Sequence, residues 1–153
     1  MTSTLDSERR RPRLVGLNHV ALEVADVGEA LAFYGRIFSF TLRGRGKGQA
    51  FIDLGDQFLA LTEAATPHAD AQRHFGLVVD DRATVRRLAA AAGARMLEGP
   101  FLDFLDPWGN RIEVVDYADV QFTKAPHVLR GMGLDLHKSE KARKELSDKG
   151  MMP

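Results

Sequence analysis

One pattern constrains this chain more than any other: it carries the same signature twice. The run His19-Val20-Ala21-Leu22-Glu23-Val24-Ala25-Asp26 returns 55 positions later as His74-Phe75-Gly76-Leu77-Val78-Val79-Asp80-Asp81. Likewise Gly55-Asp56-Gln57-Phe58-Leu59 returns 54 positions later as Gly109-Asn110-Arg111-Ile112-Glu113. Two separate anchors at nearly one offset mark an internal duplication. Each half is then one supersecondary unit whose apolar face is completed by its neighbour.

Within each copy the periodicities follow the same order. Residues 14–24 alternate with a strand period, with Val20, Leu22 and Val24 on one face and Leu17, His19, Ala21 and Glu23 on the other. Asp26 followed by Glu29 is a capping-box pattern, and Val27, Ala30, Leu31, Tyr34, Ile37 and Phe38 recur at helical spacing, which predicts a helix over 27–38. Strands are expected over 40–45, 50–54 and 57–62, separated by glycines and Asp56. After a polar stretch containing Pro67 the order restarts. It gives a strand over 73–80, a helix over 81–92 closed by Gly93, and strands over 94–97, 101–105 and 110–117. The expected fold class is therefore α+β, two βαβββ modules in tandem forming a cupped mixed sheet. The modules span 14–63 and 73–119, with a linker at 64–72, a disordered leader at 1–13 and a C-terminal extension at 120–153.

Composition narrows the function. The chain has 153 residues, 44% of them hydrophobic, enough to bury a core. Its 21 basic residues balance 21 acidic ones, so no global positive potential favours nucleic acid or an anionic membrane, and neither is an expected partner. The absence of cysteine removes disulfide scaffolds, thiolate metal sites and thiol nucleophiles, leaving histidine and carboxylates as the available metal ligands. No apolar run approaches the roughly 18 residues of a membrane span. Arg9, Arg10 and Arg11 are followed by Pro12 and Arg13 instead of a signal-peptide apolar core, so a cytoplasmic protein is expected. In the extension, Leu129, Met132, Leu134 and Leu136 form an apolar segment expected to pack on the body or on a partner subunit. Ser139 is placed to cap a final charged helix in which Glu140 faces Lys144.

Three residues stand out for chemistry. Equivalent positions of a duplicated module are related by its pseudo-two-fold, so His19 and His74 are expected near one another. On the last strand Arg111, Glu113, Val115 and Tyr117 share one face while Ile112 and Val114 take the other, which sends Glu113 off the apolar side. Two imidazoles and one carboxylate make a 2-His-1-carboxylate metal set with positions left open for water or substrate. A single strand histidine is more often structural and a strand glutamate more often solvated; the shared repeat position favours a metal. His68, His127 and His137 have no such placement. Asp103 and Tyr117 are candidate proton relays beside Glu113. Phe51, Phe101 and Trp108 either wall a pocket or pack the core, and Asp106 is expected to bond backbone amides of its turn.

The segment Leu17-Asn18-His19-Val20-Ala21-Leu22-Glu23-Val24-Ala25-Asp26, the Ala30-Leu31-Ala32-Phe33-Tyr34 helix, and above all Asp106-Pro107-Trp108-Gly109-Asn110-Arg111-Ile112-Glu113 resemble the vicinal oxygen chelate proteins. That superfamily contains glyoxalases, extradiol dioxygenases, and fosfomycin- and bleomycin-resistance proteins. The resemblance runs over about residues 14–117. It implies paired modules cupped around a divalent ion (iron, manganese, zinc or nickel), with His19, His74 and Glu113 as ligands, and a homodimer whose modules can complete one another's sites. Leu59 stands where glyoxalases carry a second carboxylate. Ala21 stands where fosfomycin thiol transferases place a threonine, and Phe101 and Asp103 where they place hydroxyl residues. The acid-base histidine of the extradiol enzymes has no counterpart. The function implied is a metal-dependent enzyme, dioxygenase-like or glyoxalase/lyase-like, acting on a small molecule with vicinal oxygens. The alternative is a metal-free protein that sequesters a small molecule; a third reading is an interaction domain using residues 129–136.

Overall fold

A computed structural model of the chain describes residues 17, 19–55, 57–70 and 74–152; the expected leader and the expected first strand residues 14–16 lie outside them. Strand β1 (His19–Val24) leads into helix α1 (Val27–Gly35), then β2 (Leu42–Gly46), β3 (Gln49–Asp53) and β4 (Phe58–Glu63). The order repeats as β5 (Phe75–Val79), α2 (Arg82–Ala91), β6 (Arg95–Leu97), β7 (Leu102–Leu105) and β8 (Arg111–Asp116). A 3-10 turn (Tyr117–Asp119) and helices α3 (Pro126–Gly131) and α4 (Glu140–Asp148) follow. Each copy makes its own four-stranded mixed sheet, β1-β4-β3-β2 and β5-β8-β7-β6. In both, the first and last strands run parallel and the other neighbours antiparallel. The parallel pairing follows from the helical crossover between the first two strands. Neither sheet closes into a barrel.

Local chemistry accounts for the element ends. The Asp26 carboxylate accepts the amide of Glu29 to start α1, and Asp81 accepts that of Thr84 to start α2, satisfying donors that have no intrahelical partner. Helix α1 ends at Gly35, short of the expected 38, because the chain tightens: the amides of Ile37 and Phe38 both bond the Tyr34 carbonyl. The apolar period therefore outlasts the helix, and Ile37 is still buried.

Alternation divides each sheet into two faces. Leu22, Val24, Ala50, Ile52, Leu59 and Leu61 from the first sheet, and Leu102, Phe104, Ile112 and Val114 from the second, join Phe33, Tyr34, Val85 and Ala89 of the helices in one apolar cluster. Burial of this kind contributes about 25 cal/mol per Å² of apolar surface. His19, Glu23, Arg111 and Glu113 lie on the opposite faces, together with Phe51 and Phe58.

This arrangement corrects the place of Leu59. Across the parallel pairs Ala21 faces Ala60, and Gly76 faces Glu113. Since Ala21 and Gly76 each lie two residues past the repeated histidine, the first-module counterpart of Glu113 is Ala60. The cause is loop length: four residues join β3 to β4, and five join β7 to β8. Aligning the two glycines slips the register by one and inverts the face. Leu59 points into the core at 3% exposure.

The β7–β8 turn fastens the two modules together. Asp106 is buried, accepting the amides of Trp108 and Asn110 through Oδ1, and Tyr34 Oη and Asn110 Nδ2 through Oδ2. Asn110 Nδ2 also donates to the Glu23 carbonyl of β1, and Trp108 packs edge-on against Phe33 at 6.3 Å. Burial, reinforced by the Asp106 charge and hydrogen bond, pushes the Tyr34 hydroxyl well above the ordinary tyrosine range.

The extension folds back onto both modules. Lys138 Nζ donates to the carbonyls of Tyr117, Val120 and Phe122, and Ser139 Oγ caps α4 by accepting the Ala142 amide. The helix pairs Lys144 with Asp148 and Lys149 with Glu145 in place of the expected Glu140–Lys144 contact. No helix among the described residues is long and apolar enough to cross a membrane.

Candidate metal centre

On the uncovered face of the second sheet, His74 immediately precedes β5 and Glu113 sits on β8. Their Nε2 and Oε2 atoms are 3.6 Å apart. Both side chains retain solvent access, at 42% and 24%. The residue paired across from Glu113 is Gly76, and a Cβ built there meets nothing within 4 Å. The space above the carboxylate is thus open on that side.

On its other side Glu113 pairs with Asp103 of β7. Asp103 is buried, and its Oδ2 accepts Arg111 Nε at 2.9 Å and Nη2 at 2.5 Å. Its Oδ1 is buried without a hydrogen-bond partner among the described residues. Arg111 lies two residues before Glu113, so it extends along the same face, and Asp103 holds it there. The sequence carries one signal for this pair: an arginine at i−2 from the glutamate, on a strand whose neighbour supplies an aspartate.

His19 occupies the corresponding uncovered face of the first sheet. Its ring stacks on Phe58 at 4.7 Å and 11°. Phe58 in turn meets Phe51 edge-on at 5.6 Å and lies under the Arg43 guanidinium at 4.5 Å. His19 is therefore set in an aromatic platform of Phe58 and Phe51, and Phe58 carries no signal in the sequence beyond its place on the strand.

Within one chain the three expected ligands do not meet. Among the described residues no group of three histidine, cysteine or carboxylate side chains is gathered closely enough to hold an ion. His74 and Glu113 come together; His19 sits in the other sheet. Tyr117 also lies apart from the pair. Strand β8 ends at Asp116, and Tyr117 opens the 3-10 turn as a buried side chain, with the Lys138 ammonium 3.5 Å from its ring centroid and Phe122 edge-on. Phe101 is 59% exposed, Trp108 is turn packing, and His68, His127 and His137 are exposed, the last against Asp135.

This fold and these motifs have known relatives. The sequence profile of the Glyoxalase/Bleomycin resistance protein/Dioxygenase superfamily matches residues 16–114. The chain belongs to that superfamily. Among solved structures it is similar to an integron cassette protein from the V. cholerae mobile metagenome, with 23% identity and a TM-score of 0.55 over 71% of this chain and 99% of that one. It is also similar to the fosfomycin resistance protein FosX of Listeria monocytogenes, with 17% identity and a TM-score of 0.58 over 68% and 94%. A third is the lactoylglutathione lyase of Agrobacterium tumefaciens, with 23% identity and a TM-score of 0.54 over 69% and 96%. At these identities the likeness is one of fold.

Proposed function

We propose that this superfamily member is a homodimeric divalent-metal protein acting on a small molecule with two adjacent oxygens, its metal held by His74 and Glu113 of one chain and His19 of another. The observation that carries this reading is the His74–Glu113 pair at 3.6 Å on an uncovered sheet face. Ligand atoms each about 2.0–2.2 Å from a common ion lie about 3.0–3.5 Å apart, so a small rotation of either side chain suffices. An imidazole and a carboxylate suit iron, manganese, zinc or nickel alike. One solved neighbour, a FosX variant of Listeria monocytogenes, is described with Mn(II) and a dihydroxypropylphosphonic acid.

When bound, the metal supplies Lewis acidity to a chelating substrate. Glu113 and His74 bring one charged and one neutral donor to the ion. Arg111, fixed by Asp103, adds a positive charge along the same face, suited to an anionic substrate group. The Phe58–Phe51 platform beside His19 gives the opposite wall an apolar, aromatic surface. Tyr117 has no part in this set.

The reading is tested by complementation. His19→Ala and His74→Ala homodimers are each expected to lose stoichiometric metal, with affinity reduced well beyond tenfold, since even residues behind the ligands change affinity about 10- to 100-fold. Mixing the two variant chains is expected to recover up to half a metal per chain in the heterodimer, read by elemental analysis. No recovery on mixing sinks the shared site. Metal-free wild-type protein, purified and challenged with each ion, would leave the sequestering alternative.

A further inference from the structure

Two arginines stand on the faces that bear the proposed ligands, and they differ in what meets their charge. Arg111 is gripped by Asp103, whose carboxylate lies 2.5 Å from its Nη2. Arg43, in the other sheet, meets a ring instead: its guanidinium carbon is 4.5 Å from the Phe58 centroid. Its side chain is exposed, and among the described residues no carboxylate or carbonyl is paired with it. A guanidinium over an aromatic ring is held through the ring's quadrupole and keeps its N–H donors for an acceptor, which an arginine forked onto a carboxylate does not.

A local irregularity of β2 places Arg43 there. In a regular strand residues 43 and 45 would share a face. Here the pairing shifts between Leu42, opposite Ile52, and Gly44, opposite Phe51, and such a shift turns a side chain to the other face. Arg45, opposite the buried Ala50, reaches the start of α1, where a Cβ on Gly28 would lie 3.8 Å from its Nη2. Arg43 goes instead to the side of Phe58. Gly44 beside it leaves an edge of Phe51 uncovered, since a Cβ there would meet the Phe51 ring at 3.5 Å.

These contacts bound the distance from cation to imidazole. His19 stacks on Phe58 at 4.7 Å, so Arg43 lies no farther from the His19 ring than the two ring contacts laid end to end. One planar ring bearing groups at opposite ends can bridge that span. Phe51, edge-on to Phe58, widens the apolar surface, and edge-to-face or offset contact with a further ring is favourable.

We infer that this platform selects a substrate whose vicinal oxygens are carried on a planar ring that also bears a carboxylate, the ring lying along Phe58 and Phe51 and the carboxylate on Arg43. The place of the vicinal oxygens rests on the proposed function, whereas that of the carboxylate rests on the Arg43–Phe58 contact and is measurable without a metal. Equilibrium titration of the full chain offered Mn(II), Fe(II), Zn(II) or Ni(II) compares 3,4-dihydroxybenzoate with 3,4-dihydroxybenzamide; titration of the metal-free chain compares benzoate with benzamide. Metal content is read on the same samples by elemental analysis. Each acid is expected to bind at least about fivefold more tightly than its amide, the upper range for an exposed charge pair with fork geometry. Arg43→Met should bring each acid to the affinity of its amide, with Arg43→Gln as the second variant if it does not fold, and Arg45→Met should keep the preference. A preference for benzoate without stoichiometric uptake of any of the four ions upholds the carboxylate site and sinks the metal reading; stoichiometric metal with no preference in either pair does the reverse. The inference is overturned if neither acid is preferred over its amide, if the preference survives in Arg43→Met, or if Arg45→Met removes it equally.

Discussion

The two modules share an order of elements and a capped helix, yet they are not chemically equivalent. The second places His74, Glu113, Arg111 and Asp103 together on its uncovered face. The first offers His19 on a phenylalanine platform, with Ala60 where the second has Glu113. Duplication has kept one imidazole in each copy and concentrated the charge in one of them. On the proposed function the second module supplies two ligands and another chain the third, so the asymmetry between copies and the proposed pairing of chains are two aspects of one proposal.

Substitutions at 59 and 60 probe the comparison most strongly. Leu59→Glu drives a carboxylate into the shared core and should destabilise the protein by about 3–5 kcal/mol, as an uncompensated buried charge does, read from urea unfolding. Ala60→Glu places the same group on the opposite face, where Ala60 is 5% exposed but lies outside the shared apolar cluster; it should cost less and tighten metal binding. If the two variants are equally destabilised, the assignment of faces is wrong.

The contact between modules comes next. Asp106→Ala removes four hydrogen bonds to a buried carboxylate and should cost about 3 kcal/mol or more, with a single cooperative transition giving way to two if the modules hold one another mainly through this turn. Tyr34→Phe removes only the hydroxyl and should cost about 1–2 kcal/mol. Because the Tyr34 hydroxyl is raised in the folded protein, its contribution is fully present below the unfolded value of about 10 and declines as pH rises beyond it. Unfolding midpoints measured against pH should fall above about pH 10 in the wild type and fall less steeply in Tyr34→Phe.

What the sequence made legible was whatever depends on neighbours along the chain. The repeat, the aspartate cap at 26 and the strand alternation around 19–24 and 111–116 all follow from local periodicity and local hydrogen bonds, whereas Asp81, expected as the first residue of the second helix, caps it instead. What escaped it depends on how separate strands align. A four-residue and a five-residue loop cannot be distinguished as register shifts without the pairing partners, so the place of Leu59 was off by one. Tyr117 follows the two-residue period on paper but leaves the strand after Asp116. His19 and His74 are equivalent by sequence, but equivalence does not say whether their faces meet within one chain. The Asp103–Arg111 grip involves residues that only tertiary packing brings together.

Lys138 is tied to three peptide oxygens, those of Tyr117, Val120 and Phe122, through one amine. That gathers the fastening of the segment between the last strand and α3 into one chemical group, while buried Leu129, Ala142 and Leu146 hold the helices that follow. Acetylating that amine, or replacing the side chain with methionine, leaves three acceptors to find water, so the segment ahead of α3 should peel away and become open to limited proteolysis while both sheets stay folded. A fold that took one ancestral unit and doubled it would then carry, beyond its second copy, a connecting segment loosened by neutralising a single charge.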